Sequence, residues 1–70
     1  MKYIVIELQT AADGKVGSLV TAHDTLAQAE SKYHAVLSAA AVSAVPAHSA
    51  TLLDSDGQPL DYRCYHHGES

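Results

Sequence analysis

Residues 25–42, TLAQAESKYHAVLSAAAV, decide the fold, because they are the one stretch of the chain with a clear helical period. Thr25 and Gln28 fit the capping box, which predicts that the helix begins directly after Thr25. Pro46 pushes Val45 into an extended conformation, so the helix is expected to end a few residues earlier. One apolar stripe, about 100° wide, is predicted to pack on a sheet. Its members are Leu26, Ala29, Tyr33, Val36, Leu37 and Ala40.

The opposite side of this helix carries small residues instead of the charges that are usual on a solvated surface. Small side chains let another helix or backbone approach closely, which would make this side a second contact face. Alanine is also the best helix former and tolerates exposure, which would make it an ordinary solvated back. Composition supports both interpretations equally. The residues concerned, together with Ser38, are Ala27, Ser31, Ala35, Ala39 and Val42.

Four segments outside the helix are predicted to be β-strands, and an Asp-Gly pair in each half of the chain predicts a hairpin turn. The segments are residues 2–10, Val16–His23, 49–54 and 60–65. The predicted order is therefore β-β-α-β-β, an α+β fold with one helix packed on one face of a four-stranded sheet. We expect a single domain over residues 1–70, with a polar tail from about residue 66.

The face of the sheet that the helix covers is harder to predict. In the first strand Ile4, Ile6 and Leu8 share one face, while Tyr3 and Val5 make the near end of the other face apolar too. This pattern indicates a sheet that is partly covered on both sides.

The second strand allows two core sides, and Gly17 weakens it in a way that indicates a β-bulge. Continuity with the hairpin favours the first of the two sets that alternate along it. The sets are Val16, Ser18, Val20 and Ala22, or Leu19, Thr21 and His23.

Two strand arrangements satisfy the predicted order. In one, the first and last strands pair in parallel at the centre of the sheet, as in β-grasp domains. In the other, all neighbouring strands of the sheet are antiparallel. The sequence does not choose between them. If the first and last strands are neighbours, a cluster of Tyr3, Tyr62 and Tyr65 is one alternative, and simple cross-strand packing of these tyrosines is the favoured one.

The size of the chain favours self-association. Seventy residues make a domain that buries only about 60% of its unfolded surface, and this one has no tryptophan or phenylalanine. One cysteine excludes an internal disulfide, so we expect a homodimer or larger homo-oligomer. The candidate interface is either Tyr3 and Val5 on the sheet or the small-residue back of the helix.

Charge and patterning argue against nucleic-acid and membrane partners. The formal net charge is −4, and no basic patch is present to neutralise phosphates. The N-terminus lacks an apolar signal region, and no run is long enough to cross a bilayer. The lone Cys64 fits a reducing compartment, so the expected location is the cytoplasm.

The sequence contains no strong catalytic or metal-binding motif. Five histidines invite a metal hypothesis, but only Cys64 and His66 share a strand face, and zinc needs three or four converging ligands. Nothing in the sequence lowers the thiol pKa of Cys64, so we predict no catalytic residue, no metal and no cofactor. Tyr62, Arg63 and Tyr65 are candidate contacts for a ligand or partner, with Arg63 as the polar anchor.

The segments MKYIVIELQT, GSLVTAHDTLAQAESKYHAVLSAAAVSAVPAHSA and LLDSDGQPLDYRCYHHG resemble short proteins encoded by phages and prophages of Gram-positive gut bacteria. The resemblance spans most of the chain and brings no catalytic motif. It implies a mobile-element protein located in the host cell or associated with the virion.

These observations support three functional hypotheses. The leading one is a non-enzymatic binding protein that acts as a homo-oligomer on a host protein or a small metabolite. The second is a structural or assembly component of a phage particle. The third is a small enzyme with its site between subunits.

Overall fold

The computed structural model describes residues 2–67, which form four strands and one helix in the predicted order. The strand order is β2-β1-β3-β4, and all neighbouring strands are antiparallel. The α+β class is confirmed, and the purely antiparallel arrangement is the one observed. The elements are β1 (Tyr3–Thr10), β2 (Val16–His23), α1 (Leu26–Ala41), β3 (Ala47–Asp54) and β4 (Pro59–His66).

The last two strands differ from their predicted limits. β3 begins two residues before the predicted residue 49, and β4 extends by one residue at each end. His66, predicted as the start of a polar tail, is the last residue of β4. The rest of the predicted tail, residues 68–70, lies outside the described residues. Because β3 separates β1 from β4, the alternative with parallel first and last strands is excluded, and so is the tyrosine cluster that depends on it.

Both hairpins close through a three-residue loop of the same kind, which explains why each carries an Asp-Gly pair. The loops are residues 12–14, between the hydrogen-bonded Ala11 and Lys15, and residues 55–57, between Asp54 and Gln58. Gly14 and Gly57 have φ values of 88° and 87°, in the left-handed region that glycine enters without a steric penalty. Their N–H groups donate to the carbonyls of Ala11 and Asp54, each at 3.0 Å. A type I turn followed by a left-handed residue that forms a bulge is the usual geometry of such loops.

Helix α1 begins at the predicted cap. The backbone N–H of Gln28 donates to the Thr25 hydroxyl at 3.2 Å, which satisfies one of the free donors of the first turn. The apolar stripe is confirmed in four members that are fully buried: Ala29, Tyr33, Val36 and Ala40. Leu37 is half-buried against the core, whereas Leu26 at the start of the helix remains 40% exposed.

The core lies between α1 and the side of the sheet that carries Val5, Ala50 and Leu52. Val5 is only 1% exposed, and Tyr3 packs against the same cluster. The candidate interface formed by Tyr3 and Val5 is therefore wrong, since the helix of the same chain already covers these side chains.

The register also corrects the expected core side of β2. Thr21 pairs with Val5 and Leu19 with Glu7, so the set Leu19, Thr21 and His23 shares the helix side. The favoured set, which contains Val16 and Val20, lies on the opposite face and is exposed. The expected bulge at Gly17 is wrong as well, because the register of β1 and β2 runs without a shift.

The topology explains why the helix covers this face. β2 and β3 are both antiparallel to β1, so they are parallel to each other, and α1 is the crossover between them. Crossovers between parallel strands are right-handed in about 98% of cases. A right-handed crossover fixes the side of the sheet on which α1 lies, and the register of the strands decides that the set with Tyr3 and Val5 points to that side.

Candidate functional site

The face of the sheet opposite α1 is not covered by any helix or strand of residues 2–67, and we call it the open face. The ladders place its side chains in cross-strand rows, such as Val20, Ile6, Thr51 and Tyr62 across all four strands. By register it comprises Ile4, Ile6, Leu8, Thr10, Val16, Ser18, Val20, Ala22, Ala47, Ser49, Thr51, Leu53, Pro59, Tyr62, Cys64 and His66.

The open face carries no Asp, Glu, Lys or Arg. Several of its large apolar side chains are well exposed: Val16 at 63%, Tyr62 at 60%, Val20 at 59% and Leu8 at 38%. Soluble monomers rarely present a contiguous apolar patch of this kind, and where they do it usually marks a site of interaction. The open face is therefore the first candidate site.

A cleft of about 280 Å³ lies at the edge formed by β1 and β2, and it is the second candidate site. Its lining residues are Glu7, Gln9, Gly17, Ser18 and Leu19. By register Glu7, Gln9, Gly17 and Leu19 all belong to the side of the sheet that carries the helix. Ser18, the fifth lining residue, belongs by register to the open face, so the cleft lies mainly on the helix side and meets the open face only at the edge strand β2.

A carboxylate–imidazole pair lies beside this cleft. His48 is only 3% exposed, and its Nε2 lies 2.6 Å from Glu7 Oε2. A carboxylate can only accept, so His48 Nε2 donates this hydrogen bond. Gln9 Nε2 donates a second bond to the same oxygen at 3.2 Å. His48 Nδ1 is buried and has no hydrogen-bond partner among residues 2–67, so the imidazole is held through Glu7 alone.

The environment of Glu7 keeps its carboxylate charged. Burial raises the pKa of Glu7, but the hydrogen bonds from His48 and Gln9 and the nearby charge of Lys32 outweigh burial, so the pKa lies below 4.5. Glu7 is thus an anion at neutral pH, although its side chain is only 16% exposed.

Acid unfolding should reveal this pair. Because the folded-state pKa of Glu7 is depressed, its ionisation stabilises the fold above about pH 4.5, and this contribution is lost as the pH falls through the folded value. We expect the free energy of unfolding to decrease less steeply between pH 5 and 3 in Glu7→Gln than in the wild type, as measured by urea titration with circular dichroism. Glu30→Gln removes the same charge from the exposed side of α1 and controls for net charge. Parallel curves for wild type and Glu7→Gln would contradict the assignment.

The helix side of β4 holds a stack of three side chains. Arg63 Cζ lies 4.9 Å from the centroid of the Tyr65 ring, and the rings of Tyr65 and His67 are stacked with centroids 6.1 Å apart. His67 Nε2 donates to the carbonyl of Ala40 at 2.6 Å, which ties the end of β4 to the last turn of α1. These contacts give the stack a structural role.

The predicted contact residues do not form one site. Arg63 and Tyr65 lie on the helix side of β4, whereas Tyr62 lies on the open face, so the strand separates them. The small-residue back of α1 is exposed, as a contact surface would require, and Val42 reaches 85% exposure. The use of this helix back as an interface stays a prediction. The residues of the helix back are Ala27, Ser31, Ala35, Ala39 and Val42.

The histidines and the cysteine do not converge. Within residues 2–67, no three His, Cys, Asp or Glu side chains are placed to hold a metal ion together. Cys64 Sγ and His66 Nε2 lie 3.5 Å apart on the open face, as expected from their spacing, and form a pair without a third ligand in this part of the chain.

Sequence reasoning missed the cleft and the Glu7–His48 pair. The two residues are 41 positions apart and meet only because β1 pairs with β3. The available signals were Glu7, which follows the apolar near end of this side of β1, and a glycine within β2, for which the sequence favours a bulge.

Comparisons with protein-family models, with curated proteins and with solved structures gave no match. Among residues 2–67, no helix has the length and apolar character needed to cross a membrane. The function is therefore inferred from the geometry of the open face and of the cleft.

Proposed function

We propose that the protein is a non-enzymatic binding protein that acts as a homodimer, with the open faces of two copies packed against each other. The observation that carries this proposal is the absence of any charged Asp, Glu, Lys or Arg side chain from the open face. The helix side of the sheet carries Glu7, Asp61 and Arg63, so of the two sheet faces the open face is the one suited to be buried. The back of α1 also lacks charged side chains, but its side chains are mostly alanine and serine and offer less apolar surface.

A second copy is the occupant that fits best. A flat sheet surface packs on another sheet at a separation of about 10 Å, and the open face offers each copy the flat, apolar surface that its partner requires. Small hydroxyl side chains at Ser18, Ser49 and Thr51 lie among the apolar ones and permit close approach. Packing would turn two open two-layer units into one closed sandwich with a helix on each outer side.

The available area agrees with a dimer. Four strands of eight residues measure about 26 Å along the chain, and at a spacing of about 4.8 Å they span about 19 Å across the sheet. Each copy therefore offers roughly 500 Å² of flat surface, and side-chain relief increases this value. Two copies approach the lower limit for specific stable interfaces, about 1,200 Å² in total.

Dimerisation through the open face leaves α1 and the cleft on the outside. We propose that these outer surfaces bind a host bacterial protein or a small metabolite in the cytoplasm, the setting implied by the resemblance to phage-encoded proteins. The net charge of −4 per chain favours a basic partner.

Sedimentation equilibrium at micromolar concentration tests the assembly with two matched variants. Val20→Arg places a charge on the open face at the edge strand β2, beside Ile6, at a side chain that is 59% exposed in the single chain, and is expected to raise the dimer dissociation constant at least about 100-fold. Val42→Arg makes the same change on the back of α1 and is expected to leave the dimer intact. Wild-type protein should also show a thermal midpoint that rises with concentration.

The opposite pattern would contradict the proposed interface. If Val42→Arg dissociates the protein and Val20→Arg does not, the helix back is the interface. A wild-type monomer with a thermal midpoint independent of concentration would exclude self-association altogether.

A further inference from the structure

Nothing in the structure of residues 2–67 requires a glycine at position 17. It lies inside β2, pairs with Gln9 without a register shift, and its φ is outside the left-handed region. A Cβ built at this position would meet no atom within 4 Å, so close packing does not require a glycine either. Glycine inside a strand lowers stability, and apart from bulges it marks places where a ligand or another backbone approaches closely. Of the roles that glycine takes inside strands, close approach by a ligand or another backbone is the one that this geometry leaves open.

The space above Gly17 belongs to the cleft, and the cleft contains an acceptor. The hydrogen bonds from His48 and Gln9 both end on Glu7 Oε2. Oε1 of Glu7 accepts no hydrogen bond from residues 2–67, so it can accept one from a ligand in the cleft that Glu7 lines. The buried imidazole fixes the position of this carboxylate, which is the preorganisation that a specific site needs.

We propose that this cleft binds one cationic group, an alkylammonium or a guanidinium, with Glu7 Oε1 as its acceptor and the open space above Gly17 as its entry. The volume of about 280 Å³ falls just below the range of sites for drug-sized ligands, about 300–1,000 Å³, and so fits a single side chain or a small amine. Charge-assisted hydrogen bonds to a carboxylate are among the strong ones, and an alkylammonium or a guanidinium N–H can donate one to Oε1.

Two sources would supply this chemistry. One is a lysine or arginine side chain from a segment of another protein that lies along the edge strand β2, and the other is a free small amine. In both cases Lys32, whose charge acts on Glu7, competes with the ligand. The acceptor Glu7 lies on the opposite side of the sheet from the open face, so the site does not depend on dimerisation.

Titration of ¹⁵N-labelled protein with N-acetyl-arginine amide tests the proposal by NMR. We expect saturable shifts of the Gln9, Gly17 and Leu19 amide signals, and none with the neutral analogue N-acetyl-citrulline amide. Glu7→Gln and Gly17→Val are each expected to weaken binding at least about tenfold, the first by removing the charge and the second by filling the entry without backbone strain. Lys32→Met is expected to strengthen it.

Controls separate a specific site from general attraction to an acidic protein. Glu30→Gln removes the same charge from the exposed side of α1 and should leave the affinity unchanged. Equal weakening in Glu30→Gln and Glu7→Gln, equal binding of the citrulline analogue, or the lack of saturable shifts at Gly17 would each overturn the proposal. The Val20→Arg variant should bind as the wild type does, so failure of the dimer and failure of the cleft are distinguishable.

Two further ligands identify the source. A short extended peptide with a central arginine is compared with free agmatine. Tighter binding of the peptide, with additional shifts along β2, assigns the site to a protein partner, whereas equal or tighter binding of agmatine assigns it to a small amine. Binding of neither contradicts the proposal.

Discussion

Replacing Tyr33 by alanine is expected to lower the free energy of unfolding by about 3–5 kcal/mol, the range for deleting a large buried aromatic side chain. Tyr33 is only 2% exposed and is the largest fully buried side chain among residues 2–67. Its ring is the one aromatic member of the buried cluster that joins α1 to the sheet. A chain of 70 residues has roughly 4–10 kcal/mol of stability in total, so the loss should be visible as a population of unfolded protein at 37 °C.

Tyr33→Phe is the matched control, because it keeps the ring and removes the hydroxyl. Burial, together with the Asp61 carboxylate beside it, raises the pKa of Tyr33 to about 12, so the hydroxyl is uncharged at neutral pH. Its removal is expected to change stability by about 1 kcal/mol, the typical net value of one hydrogen-bonding group. Urea titration followed by circular dichroism measures both variants. A loss of less than about 1 kcal/mol in Tyr33→Ala would show that the ring does not fill the core.

Val5→Arg is expected to abolish folding at 25 °C. Val5 is 1% exposed and packs in the cluster with Tyr33 and Leu52, so an arginine there must bury a charge without a partner or displace the helix. An unpaired buried charge costs several kcal/mol, which is comparable with the whole stability of a domain of this size. Far-UV circular dichroism and the dispersion of a ¹H–¹⁵N spectrum measure the outcome.

The same substitution on the other face of the sheet provides the comparison. Val20 is 59% exposed, so Val20→Arg removes little packing within one copy and should remain folded as a monomer. A folded Val5→Arg together with an unfolded Val20→Arg would mean that the helix covers the face that carries Ile4 and Ile6. The pair of variants therefore tests the face assignment on which the proposed dimer depends.

Local features of the fold were predictable from the sequence because they are set by neighbouring residues. The Thr25 cap requires only a hydroxyl three positions before the Gln28 amide, and the bond is present. The Asp-Gly turns require only a residue that tolerates positive φ, which Gly14 and Gly57 provide. The buried stripe of α1 follows from the period of 3.6 residues, and its exception, Leu26, lies at the helix end where packing is least complete.

The candidate sites were less accessible to the same reasoning. The interface predicted at Tyr3 and Val5 is part of the core, and the predicted contacts Tyr62 and Arg63 lie on opposite faces of β4. Pairing of Glu7 with His48 requires that β1 lie beside β3, and the sequence left that pairing undecided. Gly17 was visible as an anomaly, but only the continuous register and the open space above it separate an entry to a cleft from a bulge.

The sequence by itself determined the order β-β-α-β-β, the helix cap, the buried helical stripe and both turns, because each depends on contacts between residues close along the chain. Only the tertiary structure decided which face of the sheet the helix covers. An alternating strand with apolar residues on both sides, such as Tyr3, Ile4, Val5 and Ile6, carries two equivalent sets, and the pattern cannot rank them. A right-handed β2–α1–β3 crossover fixes the side of the sheet that the helix covers, and the register of the strands decides which set points to that side, so Val5 lies in the core and Val20 on the open face.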